Sequence, residues 1–144
     1  MSIDFEPIKF SYDVSGENFT SAGEASVSVK KQLRKLGIHP DTIRRVSIAM
    51  YEGEINMVIH ANGGTAEVLV YPDRIVIILA DTGPGIKDVN LAMQEGYSTA
   101  KDHVRSLGFG AGKGLPNMKR YTDMMKIDTV VGQGTTVTME VNLS

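Results

Sequence analysis

The chain of 144 residues is long enough for one domain with one core, and its 42% hydrophobic and 22% charged content is that of a globular domain. A formal net charge of −2 argues against a nucleic-acid partner, and the absence of cysteine excludes disulfides, thiolate catalysis and thiolate-bound zinc. His39, His60 and His103 stand at no metal-ligand spacing, no apolar run is long enough for a bilayer, and the acidic start shows no signal peptide, so a cytoplasmic protein without membrane contact is expected.

Residues 9–14 read as a first strand. Ala22, Ala25, Val29, Leu33 and Leu36 recur at helical spacing until Gly37 stops them. Pro40-Asp41 opens a second helix, with proline near the first turn and an acid against the N-terminal dipole; it runs to about Ala61, where Asn62-Gly63-Gly64 breaks it. Residues 65–71 alternate and are rich in β-formers, and Pro72-Asp73 turns the chain. Residues 74–80 are almost continuously apolar, which predicts a strand that is central and covered. A short helix is expected over 88–95. Residues 96–114 hold five glycines and no sustained period, the length and composition of a lid. Helix resumes over 115–121, and residues 125–130 and 135–143 form a hairpin around Gly132-Gln-Gly134. In its second arm Val137, Met139, Val141 and Leu143 face one way, while Thr136, Thr138, Glu140 and Asn142 face the other, so one face of the sheet lies on a core and one is wet. The expected architecture is a single α+β domain over residues 1–144, a two-layer sandwich of helices on a sheet.

Two segments carry chemistry. Positions four apart on a helix point the same way within about 40°, so Glu52, Asn56 and His60 share a face and Glu54 points to the opposite side. If that face looks into a nucleotide pocket, the amide oxygen of Asn56 suits a magnesium ion that also takes phosphate oxygens. Glu52, one turn earlier, can accept a proton from an attacking hydroxyl. Gly53 costs about 1 kcal/mol in mid-helix against alanine, which points to a close approach by a neighbour or ligand. At the end of the apolar strand, Asp81-Thr-Gly83-Pro-Gly85 places a carboxylate beside freed backbone, where it can accept the exocyclic amino hydrogens of adenine.

Further on, Gly108-Phe-Gly110-Ala-Gly112-Lys113-Gly114 leads into the helix at Leu115, so backbone N–H groups and a helix N-terminus can wrap phosphates, with Lys113 as an added cation. A Walker A loop needs glycine at 107 and Ser or Thr at 114, where this chain has Leu107 and Gly114; the dinucleotide-binding fingerprint fails as well. Gly132-Gln-Gly134-Thr135 opens the last strand, and Thr135 can hydrogen-bond a nucleotide there. Taken singly, these segments also fit a solvated helix face, a tight turn, a surface loop and a hairpin. Their order and spacing together are specific.

That ordered set resembles the GHKL ATPase/kinase superfamily over about residues 40–143. Within it the chain is most similar to the small bacterial serine/threonine kinases that regulate sigma factors and stressosomes. The helix around Glu52 and Asn56 looks like their N box, residues 81–85 like the G1 box, residues 110–115 like the G2 box and residues 132–135 like the final box. Gly-Leu-Pro-Asn-Met-Lys-Arg after the lid is more like the switch-kinase branch than the anti-sigma branch. The resemblance implies a Bergerat fold with a glycine-rich ATP lid, ATP and magnesium. It implies Glu52 as catalytic base, Asn56 as magnesium ligand and Asp81 as adenine contact, with Gly83, Gly85, Gly110, Gly112, Lys113, Gly114, Leu115 and Thr135 around the nucleotide. The implied substrate is a serine or threonine on a STAS-domain antagonist. A sigma factor, a PP2C-type phosphatase and a homodimer are the further partners the resemblance allows. The alternative is a nucleotide-gated binding module that sequesters a sigma factor or activates a phosphatase without phosphoryl transfer. These 144 residues leave no room for the dimerisation helix pair of a histidine kinase, so an autophosphorylating histidine kinase is not expected. Glu54, facing away from Glu52, is expected to be dispensable.

Overall fold

A computed structural model describes residues 6–15, 23–61, 63–93 and 114–143. The element order is β1 (Ile8–Ser15), α1 (Glu24–Lys35), α2 (Pro40–Ala61), β2 (Gly63–Val70), β3 (Arg74–Asp81), α3 (Val89–Ala92), α4 (Gly114–Arg120), β4 (Met124–Val130) and β5 (Gly134–Asn142). The five strands form one antiparallel sheet in the order β1-β2-β3-β5-β4. The expected lid lies outside the described residues apart from Gly114.

Alternation decides which side of the sheet is the core. Ala66, Val68, Ile75, Ile77, Leu79, Val137, Met139 and Val141 point to one face and are buried with Val29 and Leu33 of α1 and Val46, Ala49 and Met50 of α2. Each Val, Leu, Ile or Met among them contributes about 1.5–3 kcal/mol of transfer free energy, and each alanine less. Strand β3 is central, as its apolar run predicts. Among the described elements, however, the helices lie on one face only, so the expected covering holds for a single side. The run stays apolar on the outer side because Val76 stands between Leu69 and Glu140, and Ile78 between Glu67 and Thr138, in the ladder. Val76 is buried although no described helix lies on its side of the sheet.

Two glycines permit close approaches, one between α2 and the sheet and one between neighbouring strands. A Cβ on Gly53 would collide with the side chain of Leu79 and come within 3.3 Å of Met118 Cε. Gly53 therefore lets α2 lie against β3, which explains its cost in helix propensity. A Cβ on Gly64 would run into the carbonyl oxygen of Ala80 across the β2–β3 ladder.

Helix α1 starts at Gly23, in the left-handed region at φ 97°, with no capping side chain of its own. The cap comes from α2. Glu54 accepts from Gly23 N at 2.8 Å and Ala25 N at 3.3 Å through Oε2, and from Ser26 N at 2.7 Å through Oε1. These are orphan donors of a first helical turn, and the negative charge also suits the helix dipole. With Glu54 only 2% exposed, the expectation of a dispensable side chain is corrected. It does face away from Glu52, but into the α1–α2 seam, where removing it leaves buried N–H groups unpaired.

Candidate active site

The site is assembled along the second half of α2. Its Glu52, Asn56 and His60 are half-buried, as positions on one shared face require, while Glu54, Met57 and Val58 are buried. Helix α4 begins against that face: a Cβ on Gly114 would stand 2.8–3.1 Å from the carboxamide atoms of Asn56. One turn later Asn117 Nδ2 reaches Glu52 Oε1 at 3.4 Å, a long contact that leaves the carboxylate free to take a better donor. Asn117 is a site residue that motif reasoning passed over, because its amide matters only once α4 is laid on α2. Burial pushes the pKa of His60 below the ordinary histidine range.

The second half of the site is the end of the β3–β5 ladder. Asp81 and Thr135 are paired positions there, so their side chains share the helix-facing side with Leu79 and Val137. Asp81 Oδ1 accepts from Gly83 N at 2.9 Å and from Thr135 N at 3.2 Å. Its other oxygen has no protein donor among the described residues. The turn is clamped by close approaches: a Cβ on Gly83 would sit 2.6 Å from Ala61 Cβ, and one on Gly134 would meet the carbonyl oxygen of Asp81. Gly85, at φ 78°, brings its turn against Val130 O, and Gly132 N donates to Pro84 O at 2.8 Å. The Asp81–Gly85 turn thus docks on α2 at Ala61 and on the β4–β5 hairpin.

The structure therefore brings Glu52, Asn56 and Gly114 together, and Asp81, Gly83, Gly85 and Thr135 together, with α2 running between the two groups. Leu115 is buried in the core cluster, so what it offers a ligand is backbone. Gly110, Gly112 and Lys113 lie outside the described residues. Among the described residues no three His, Cys, Asp or Glu side chains gather as a metal cage, and no helix is long and apolar enough to cross a membrane. An open groove of about 370 Å³ lies away from this chemistry, between α1 and Tyr51, and holds no convergent acids.

A helix face bearing Glu52 and Asn56, set over a strand-end Asp81 held by Gly-x-Gly turns, is the architecture of a GHKL ATPase domain, an α+β Bergerat fold. The chain belongs to the histidine kinase-, DNA gyrase B- and HSP90-like ATPase family, whose model matches residues 19–144. It is 32% identical to the serine/threonine-protein kinase RsbT of Bacillus subtilis over 108 residues, 72% of this chain and 75% of that one. It is 30% identical to an anti-sigma F factor of Caldanaerobacter subterraneus over 104 residues, 69% of each chain, and 29% identical to an anti-sigma F factor of Pasteuria penetrans over 132 residues. A mycobacterial sensor histidine kinase, MprB, shares the fold at a TM-score of 0.55 and 16% identity, covering 94% of this chain and 97% of its own.

Proposed function

We propose that this chain is an ATP-dependent protein serine/threonine kinase that regulates a sigma factor or stress pathway by phosphorylating a STAS-domain antagonist. The observation that carries the reading is the half-buried Glu52–Asn56 face, with Asn56 against the start of α4 and Glu52 held, among the described residues, only by a long contact to Asn117.

The residues fit magnesium-bound ATP. Among the described residues Asp81 keeps one oxygen open for an amino group while its other oxygen is fixed by two backbone donors. Gly83 and Gly134 occupy places where a Cβ would fill the turn. The carboxamide of Asn56 is a neutral hard ligand of the kind magnesium takes beside phosphate oxygens. When bound, ATP supplies the phosphoryl group and magnesium offsets its charge. With ATP bound, Glu52 would accept the proton of the acceptor hydroxyl as that oxygen bonds to the γ-phosphorus and the β–γ phosphoanhydride bond breaks, with ADP as the leaving group, and Asn117 would steady the carboxylate. A phosphate on the antagonist adds roughly −1.5 to −2 charge, enough to break or make an interface.

The test is transfer of radiolabelled phosphate from ATP to candidate STAS proteins by wild type and Glu52→Gln. Equal transfer by the two proteins contradicts the mechanism. The anti-sigma names among the relatives favour a second reading, a nucleotide-gated module that holds a sigma factor or a PP2C-type phosphatase without phosphoryl transfer. Partner affinity measured with ATP, ADP and no nucleotide separates the two, since the second reading fails if the three affinities are equal.

A further inference from the structure

Thr129 belongs to none of the nucleotide motifs, yet its hydroxyl joins three parts of the site. Ile86 N donates to Thr129 Oγ1 at 2.9 Å, which ties the Asp81–Gly85 turn to the hairpin. The same oxygen lies 3.2 Å from the carbonyl oxygen of Gly134 and 2.9 Å from Thr135 Oγ1. A hydroxyl has one proton and two lone pairs, and a carbonyl oxygen can only accept. One assignment makes all three contacts hydrogen bonds: Thr129 donates to Gly134 O and accepts from both Ile86 N–H and the Thr135 hydroxyl. Thr135 then spends its single proton on Thr129, so toward anything else its oxygen offers lone pairs alone.

The neighbouring group has the same polarity. Asp81 Oδ1 is taken by Gly83 N and Thr135 N, and Oδ2 stays open among the described residues. Asp81 and Thr135 are paired across β3 and β5 on the helix-facing side. The base end of the site is thus walled by acceptors. We propose that Thr129 is a positioning residue that sets the nucleobase preference by holding the Thr135 hydroxyl with its proton turned away, so that an exocyclic amino group is accepted and a carbonyl at that place meets lone pairs. This rests on the adenine-nucleotide reading above. Without the Thr129 oxygen the Thr135 hydroxyl is free to rotate and donate to a base carbonyl.

The experiment is calorimetric titration of wild type, Thr129→Val and Thr129→Ser with magnesium-ATP and magnesium-GTP, with melting temperatures alongside. Wild type prefers ATP, and Thr129→Val narrows the ATP/GTP affinity ratio about tenfold, a change of about 1.4 kcal/mol. Thr129→Ser, which keeps the oxygen, keeps the ratio. An unchanged ratio in Thr129→Val overturns the proposal even if both affinities weaken, because a loosened turn weakens both nucleotides alike. A Thr129→Ser protein shifted as far as the valine variant also overturns it. If wild type binds neither nucleotide, the adenine reading itself fails and this inference falls with it; if wild type binds ATP and only the ratio test fails, the reading stands and this inference does not. Should Thr129→Val not fold, Thr129→Cys takes its place, keeping the size and weakening the hydrogen bonds, and the same ratio decides.

Discussion

Two glutamates stand two residues apart on α2, and the two sides of that helix treat them oppositely. Glu52 is half-buried and meets one side-chain amide at 3.4 Å. Glu54 is 2% exposed and takes three backbone N–H groups from the start of α1. The same functional group is held ready on one side and fully occupied on the other. A carboxylate that is to receive a proton from a substrate has to be left short of donors, whereas one that fastens a helix has to be saturated with them.

The largest expected effect falls on the saturated side. Glu54→Ala exposes three buried N–H groups and a cavity, and lowers unfolding free energy by about 3 kcal/mol or more in a denaturant titration. Glu54→Gln, which keeps one accepting oxygen, loses about 1–2 kcal/mol. A loss under about 0.5 kcal/mol in Glu54→Ala would place Glu54 with ordinary surface residues and erase the contrast. On the site side the effect is catalytic: Glu52→Gln slows phosphoryl transfer roughly 10²–10⁴-fold while stability moves within about 0.5 kcal/mol. A variant that lost both activity and stability would show that Glu52 is structural after all.

Smaller effects sharpen the same helix. Gly53→Ala gains about 1 kcal/mol of helix propensity but drives a methyl group into Leu79, so the net is a loss of up to about 2 kcal/mol, read from the same titration. A gain would mean that α2 and β3 have room to part. The smallest effect is on pH dependence. Burial lowers the folded-state pKa of His60, so the unfolded chain binds its proton first. Stability is then full above about pH 6.5 and declines as pH falls from there through the folded-state value. Melting temperatures of wild type and His60→Gln between pH 7.5 and 5 test this, with a flatter profile in the variant.

The elements were legible in the chain because their signals are local. Pro40 opens α2, which ends at Ala61 shortly before Gly63 begins β2, and strict alternation in β5 names its buried face. The grouping of Glu52 with Asn56 and the strand-end place of Asp81 follow from helix and strand geometry alone. What stayed hidden depends on contacts far apart in sequence. The donors to Glu54 lie 28–31 residues before it, and Asn117 meets Glu52 across 65 positions. Thr129 becomes a hub only when the hairpin folds beside Ile86, 43 residues earlier. No periodicity or motif carries that information. The apolar run of β3 predicts a centre but not how many layers cover it: among the described elements the helices lie on one face, while Val76 on the other is buried with Leu69 and Glu140 as its ladder neighbours.

The central claim is an adenine nucleotide site built on Asp81, and titration of wild type and Asp81→Asn with magnesium-ATP tests it most directly. The asparagine oxygen can still take the N–H groups of Gly83 and Thr135, while its amide turns a donor toward the base where an acceptor stood. Wild type is expected to bind, and Asp81→Asn to bind about tenfold or more weakly at an unchanged melting temperature. Equal affinity in the two proteins, or no binding by wild type, would contradict the account.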